Sequence, residues 1–386
     1  MAGTVIITGA NGSLAVPAVH HLLTNFPSYT LILTVRDASG EDPNTRKLRD
    51  VLGQHPQADV SIRQLDLGML ASVHQFARRI ATEVAEGHLP PVASIICNAY
   101  YWNLARPLEL TGDGYEKTFQ VTHLAHAALV LRLLGSFQQH GGRIVFFSSD
   151  ATFPGQNSLE KIPPLIPDNL DFLVHPPPDE KNDNLAYGFH RYANAKLSVV
   201  MWAHALNRRL VKEPRFHNIT AVIVNPGNLS DSRALRTNTP AMLRCMSSLV
   251  IRPFQPLLRM VDPTMRSSAE AGKDIALLAT NTAHPSVRGY FTLLEKADSP
   301  KASLDEQKQD ELWLQSARWI RLLSSTEEFI LISIPVLEEH NIELICVVYI
   351  FRREDEDSTS VSTTLLRYRR VQTVIFPGLD SYAAVD

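Results

Sequence analysis

Tyr192 and Lys196 stand four residues apart in the stretch Arg191-Tyr192-Ala193-Asn194-Ala195-Lys196. On a helix that spacing is about one turn, so phenol and ammonium project from one face. A nearby ammonium favours phenolate over phenol and draws a tyrosine pKa down from ~10 toward the working pH. A tyrosine tuned in this way passes a proton to or from a carbonyl or alcohol oxygen. So short a pattern also arises between unrelated surface residues, and the elements around it decide which reading holds.

A second constellation lies near the N-terminus. Thr8-Gly9-Ala10-Asn11-Gly12-Ser13-Leu14-Ala15 separates the apolar run Val5-Ile6-Ile7 from a stretch with helical spacing at Val16, Val19, Leu22 and Leu23. Glycine lets a backbone turn tightly against a phosphate, and a helix N-terminus offers free N–H groups and a favourable dipole. Thr8, Gly9, Asn11, Gly12, Ser13 and Leu14 are therefore candidate dinucleotide contacts, in a G-x-x-G-x-x-A spacing that puts Ala15 where a third glycine would allow helix–strand contact. The next strand-like run, Thr30 to Val35, ends at Arg36-Asp37. An arginine there accepts a ribose 2′-phosphate and a carboxylate binds a 2′-hydroxyl. Arg36 comes first, which favours NADP(H), while Asp37 keeps NAD(H) as the alternative.

The elements that must position these groups alternate along the chain. Val60-Ser61-Ile62, Ser94 to Cys97, Arg143 to Phe147 and Thr220 to Val224 read as further strands, and Leu70 to Ala85, Tyr115 to Leu134 and Tyr192 to Leu210 as helices. Such alternation predicts right-handed βαβ units: an α/β fold with a single Rossmann-type doubly wound parallel sheet that binds ligands at the carboxyl ends of its strands. Two segments break the rhythm. Phe153 to Ala186 carries Pro163-Pro164 and Pro176-Pro177-Pro178 and reads as a long ordered insertion of about 153–186. From 321 to 386, through Glu354-Asp355-Glu356-Asp357, a C-terminal tail shows no helical or strand period and reads as disordered or weakly packed.

The chain of 386 residues carries a formal net charge of -3, so it can bury a sizeable core and shows no basic patch calling for nucleic acid. Its three cysteines lie far apart and make neither a disulfide framework nor a metal site, and no histidine pair has zinc spacing, so no metal is expected. No apolar run reaches the ~18–20 residues of a transmembrane helix, and no signal peptide precedes the first strand. These features predict a soluble, cytoplasmic protein.

Together these residues resemble the short-chain dehydrogenase/reductase superfamily from about residue 3 to 295, and within it retinol-dehydrogenase-like reductases of fungal specialised metabolism. Asp66 in Leu65-Asp66-Leu67 is similar to that family's adenine-side aspartate, and Asn98-Ala99 to its Asn-Ala-Gly motif with Tyr100 replacing the glycine. Ser148-Ser149 ends the fifth strand where the catalytic serine sits, and Ser149 is favoured because alternation from Phe147 places it on the turn. Pro226-Gly227, with Ser230, Asp231 and Ser232 beyond, is similar to the nicotinamide-side loop. The resemblance implies that Tyr192 transfers the proton, Lys196 lowers its pKa and holds the nicotinamide ribose, and Ser149 bonds the substrate oxygen. It puts Thr122 where the family often has a relay asparagine, and counts Asp66, Leu67, Asn98, Ala99, Tyr192, Lys196, Pro226, Gly227 and Ser230 among the cofactor contacts. It also implies one domain over 1–320, a substrate lid over about 230–266, a lipophilic ketone, aldehyde or alcohol as substrate, and a homodimer or homotetramer. A membrane-surface helix is the alternative for the apolar lid, but Pro253, Pro256 and Pro263 interrupt any long helix there. A non-catalytic nucleotide-binding regulator and an extended-type epimerase or dehydratase are the competing functions.

Overall fold

Runs rich in valine, isoleucine and leucine become strands buried on both faces when helices cover a parallel sheet. The computed structural model describes residues 2–179 and 183–322, together with the backbone of 327–338 and 341–352. Strands β1 (Thr4–Ile7), β2 (Thr30–Val35), β4 (Val92–Cys97) and β6 (Ile219–Asn225) are buried at every position. With β3 (Val60–Gln64), β5 (Gly142–Phe147), β7 (Gly289–Thr292) and β8 (Glu295–Lys296) they form a sheet of order β3-β2-β1-β4-β5-β6-β7-β8. Every pairing is parallel except β7 with β8.

Alternation sends successive side chains to opposite faces. Val5, Ile7, Val145, Phe147 and Val224 pack with α1 (Ala15–Asn25) and α9 (Ser268–Ala279). Ile6, Ile95, Ile144, Phe146 and Ile223 pack on the other face with α3 (Leu70–Ala85), α5 (Ala125–Leu133), α6 (Asn184–Lys212) and α10 (Glu306–Trp319). The indole of Trp202 on α6 stacks on Trp313 of α10 with centroids 4.9 Å apart. The chain order reverses between β1 and β4, which opens a crevice at the carboxyl ends of these strands.

Several elements differ from the sequence reading. The helix expected from Tyr115 starts as α4 (Lys117–Phe119) and passes through a π turn at Gln120–Leu124 before α5. α6 begins eight residues before Tyr192, capped by the Asp183 side chain on the Ala186 amide. A helix not anticipated, α2 (Pro43–Gly53), follows the Asp42 cap with proline in its first turn. The proline-rich insertion is ordered over its described part. Val174 is buried, and Arg191 on α6 pairs with Asp179 at 2.7 Å. The segment expected to form a lid carries two short α-helices, α7 (Ala241–Met246) and α8 (Gln255–Val261). In the tail, β9 (Glu327–Glu338) and β10 (Asn341–Arg352) pair antiparallel, and the expectation for 353–386 lies outside the described residues. Among the described residues no helix is long and apolar enough to cross a membrane.

Candidate active site

The crevice is built from three strand ends. At β1 the chain turns through Gly9, whose φ of +60° favours glycine, and an added Cβ would come within 3.0 Å of the Ala99 Cβ. The Asn98 side-chain amide donates to the carbonyls of Thr8 and Gly9 at 2.9 and 3.0 Å, and the Ala99 amide donates to the Thr8 hydroxyl at 3.0 Å. Thr8, Gly9, Asn98 and Ala99 thus lock the ends of β1 and β4 together. The Asn11 amide ties the turn to α2 through Asp42 and Thr45, at 2.9 and 3.0 Å. Gly12 closes the turn on Gly9 (2.9 Å) and Leu14 stands at the helix cap. In the first turn of α1 the Val16 and Ala18 amides bond back to the Gly12 and Leu14 carbonyls and Pro17 has no N–H, so it is the positive end of the helix dipole behind the glycine turn that favours an anion here. This cradle fits a dinucleotide pyrophosphate.

At the end of β5, Ser148 and Ser149 part company. Ser148 is buried, accepting a bond from the Tyr290 hydroxyl at 3.1 Å and lying 3.3 Å from the Thr152 hydroxyl. Ser149 leaves the sheet and faces Tyr192, with its hydroxyl donating to Asp150 at 2.9 Å. Lys196, 4% exposed, lies beneath and donates to the Phe147 carbonyl at 3.0 Å, with its ammonium 5.0 Å from the Tyr100 ring and 5.9 Å from the Tyr192 ring. Tyr192 sits in an aromatic cage, its ring 5.9 Å from Tyr100, 5.5 Å from Trp102 and 6.1 Å from Phe189. Leu104, Ala151, Leu159 and Leu185 continue an apolar wall around it.

The electrostatics differ from the expected lysine-tuned phenol. Burial pushes the Tyr192 hydroxyl well up, Tyr100 adds to the rise, Ser149 opposes it, and Asp150 raises it further. Burial likewise pulls the Lys196 ammonium down to about 7. Both shifts have one cause, a dry site that disfavours charge.

The remaining expected residues divide between crevice and scaffold. Thr122, in the π turn, accepts from the Tyr101 amide at 3.4 Å, and its carbonyl pairs with His126, whose other ring nitrogen meets Thr8 at 2.9 Å. Burial holds His126 near 4, so it is neutral. Asp66 caps its own turn at the Gly68 amide (2.9 Å), and the Leu67 carbonyl faces Gln120. The Pro226 carbonyl accepts from Arg266 at 2.8 Å, and Gly227, at φ +82°, lies so close to Thr264 that an added Cβ would be 2.4 Å from its carbonyl oxygen. Ser230 is buried with its hydroxyl donating to the Arg266 carbonyl at 3.4 Å, and Asp231 caps α9 through Ser268.

Arg36 is exposed at the end of β2, and Asp37 bonds the Ser39 amide at 2.8 Å. One residue the sequence did not signal comes close to this corner. Arg233 donates its backbone amide to the Ser13 hydroxyl at 2.9 Å and its guanidinium to the Asn11 carbonyl at 3.4 Å, near enough to Arg36 for their charges to interact. Trp102 likewise reaches the segment after β6, donating to the Thr237 carbonyl at 3.2 Å.

A family model described as the AcuH dehydrogenase domain matches residues 233–328. The chain is 29% identical over 359 residues to the short-chain dehydrogenase iccH of Talaromyces variabilis, covering 83% of this chain and 96% of that protein. It is 45% identical over 91 residues to the dehydrogenase acuH of Aspergillus aculeatus, covering 24% of this chain and 90% of that protein. Its fold is like that of the Pseudomonas aeruginosa RhlG/NADP complex, with a TM-score of 0.51 at 14% identity over 75% of this chain and 94% of that one.

Proposed function

The chain belongs to the short-chain dehydrogenase/reductase family and is an oxidoreductase of that family, and on that premise we propose that it interconverts a ketone or aldehyde with an alcohol on a lipophilic small molecule, using NADP(H). The observation that carries this reading is the meeting of Tyr192, Ser149 and Lys196 at the strand ends beside the glycine turn, inside an apolar aromatic wall. A nicotinamide cofactor supplies or accepts the hydride. Tyr192 gives its proton to the substrate oxygen in reduction and removes the hydroxyl proton in oxidation. Ser149 bonds that oxygen and steadies the charge developing on it. Beside the ribose hydroxyls and phosphates of a cofactor Lys196 would take its positive charge, and would then favour the phenolate that burial disfavours.

The glycine turn with Asn98 and Ala99 holds the pyrophosphate side, and Pro226-Gly227 shapes the nicotinamide side. Arg36 binds a 2′-phosphate, which selects NADP(H) over NAD(H), and NADP in the RhlG complex agrees with that choice. Arg233 reaches the same turn from the lid and adds a second guanidinium to the phosphates. Trp102, Phe189 and Leu159 line the substrate side, which suits a flat apolar molecule. We place the catalytic domain at 1–320 and the protein in the cytoplasm, and the similarity to the fungal dehydrogenases supports a role in secondary-metabolite biosynthesis. Because α10 covers α6 at Trp202, a homodimer or homotetramer would form through another surface. Fluorescence titration with NADPH and NADH, followed by turnover on a panel of aromatic ketones, tests the proposal. NADPH should bind more tightly and be oxidised. Binding without turnover across the panel would instead assign a regulator.

A further inference from the structure

Eight of the fifteen exposed large hydrophobic side chains among the described residues fall between 242 and 261, on the outer side of α7, the following π turn and α8. Met242 is 74% exposed, Leu249 71%, Met260 81% and Val261 86%, and Phe254 and Leu257 lie between them. A water-soluble surface seldom gathers so much apolar area without a partner for it. The charge pattern of the same segment narrows the partner. From 233 to 261 the chain has five arginines and no aspartate or glutamate, within a protein of net charge -3. Arg259 pairs with Glu270 at 2.9 Å, whereas exposed Arg244 and Arg252 make no ion pair among the described residues.

We propose that this outer face of the lid seats on an anionic lipid bilayer, with its methionine, leucine, valine and phenylalanine side chains in the headgroup region and Arg244 and Arg252 on the lipid phosphates. Exposed apolar side chains interleaved with arginine and free of carboxylates are the composition of a segment that lies in a membrane interface. The prolines that break the segment into short helices limit its length and leave these side chains exposed. A second copy of the chain fits less well. A two-fold interface on this face would set arginines against arginines, with no carboxylate in the segment to meet them. Docked in this way, the segment that meets the aromatic cage of Tyr192 at Thr237 and Asn238 sets the site beside the phase in which a lipophilic substrate dissolves.

Co-sedimentation of the full-length protein with phosphatidylcholine vesicles, with and without phosphatidylserine, tests the assignment without reference to turnover, so it stands or falls separately from the proposed reaction. The protein should pellet with the anionic vesicles, much less with the neutral ones, and less again as salt is raised. The pairs Leu249→Glu with Met260→Glu, and Arg244→Gln with Arg252→Gln, should each lower partitioning at least about 10-fold with the melting temperature unchanged. Absence of pelleting with either vesicle, or pelleting that neither pair weakens, overturns the proposal. So does concentration-dependent self-association that Leu249→Glu abolishes, which would assign the face to a second copy.

Discussion

Replacing Lys196 by methionine should stabilise the cofactor-free protein while removing its turnover. Lys196 is 4% exposed, and burial moves it from the ordinary 10.5 to about 7. That difference corresponds to about 5 kcal/mol against the charged form. Methionine has a similar length and fills the space without a charge. It gives up the bond to the Phe147 carbonyl, worth about 1 kcal/mol, and the contact with the Tyr100 ring, worth about 1 kcal/mol. The net gain at pH 7 is then about 3 kcal/mol, an upward shift of about 5 °C in melting temperature for a domain of this size. Between about pH 7 and 10.5 the unfolded chain holds a proton on this lysine that the folded chain has lost, so wild-type stability rises with pH across that window. The penalty is full below pH 7 and gone above 10.5. The advantage of Lys196→Met must therefore shrink as pH rises toward 10.5, which thermal melts followed by circular dichroism measure directly. A variant that melts lower than wild type at pH 7, or an advantage independent of pH, would refute the reasoning.

Ser149→Ala should lower kcat by about 100-fold with little change in NADPH affinity. Ser148→Ala should instead leave kcat nearly intact and cost about 1 kcal/mol in a denaturant titration, because Tyr290 loses one of its two hydroxyl partners and keeps Thr152. The reverse pattern would exchange their roles. Gly9→Ala forces a side chain into a turn at φ +60° against Ala99, and NADPH fluorescence titration should show affinity reduced by at least about 10-fold. Arg36→Ala should weaken NADPH by about 10-fold and leave NADH unchanged, whereas equal loss for both would move the 2′-phosphate contact elsewhere.

The sheet was legible because its strands are buried on both faces, so Thr30–Val35 and Val92–Cys97 are apolar runs with no surface constraint to blur them. The placement of Tyr192 and Lys196 on one face follows from four-residue spacing alone. Their electrostatics do not. Spacing brings an ammonium near a phenol, but only the fold reveals that both are dry enough for burial to outweigh their attraction. Phe189 stands three residues before Tyr192, so its helix position hinted at the cage, while Trp102 comes from a loop whose path no local signal sets. Arg233 illustrates the limit most sharply. Its bond to Ser13 joins positions 220 apart through two irregular segments, and neither carries a pattern pointing to the other. The π turn at Gln120–Leu124 departs from the continuous helix that the apolar spacing of Tyr115 to Leu134 predicts.

The central claim is that Tyr192 moves the proton, and the steady-state kinetics of Tyr192→Phe with NADPH and an aromatic ketone test it most directly. Removing one hydroxyl from a ring already held by Trp102 and Phe189 should leave NADPH affinity and melting temperature unchanged. It should lower kcat by about 10³-fold. Turnover within a few-fold of wild type would contradict the account.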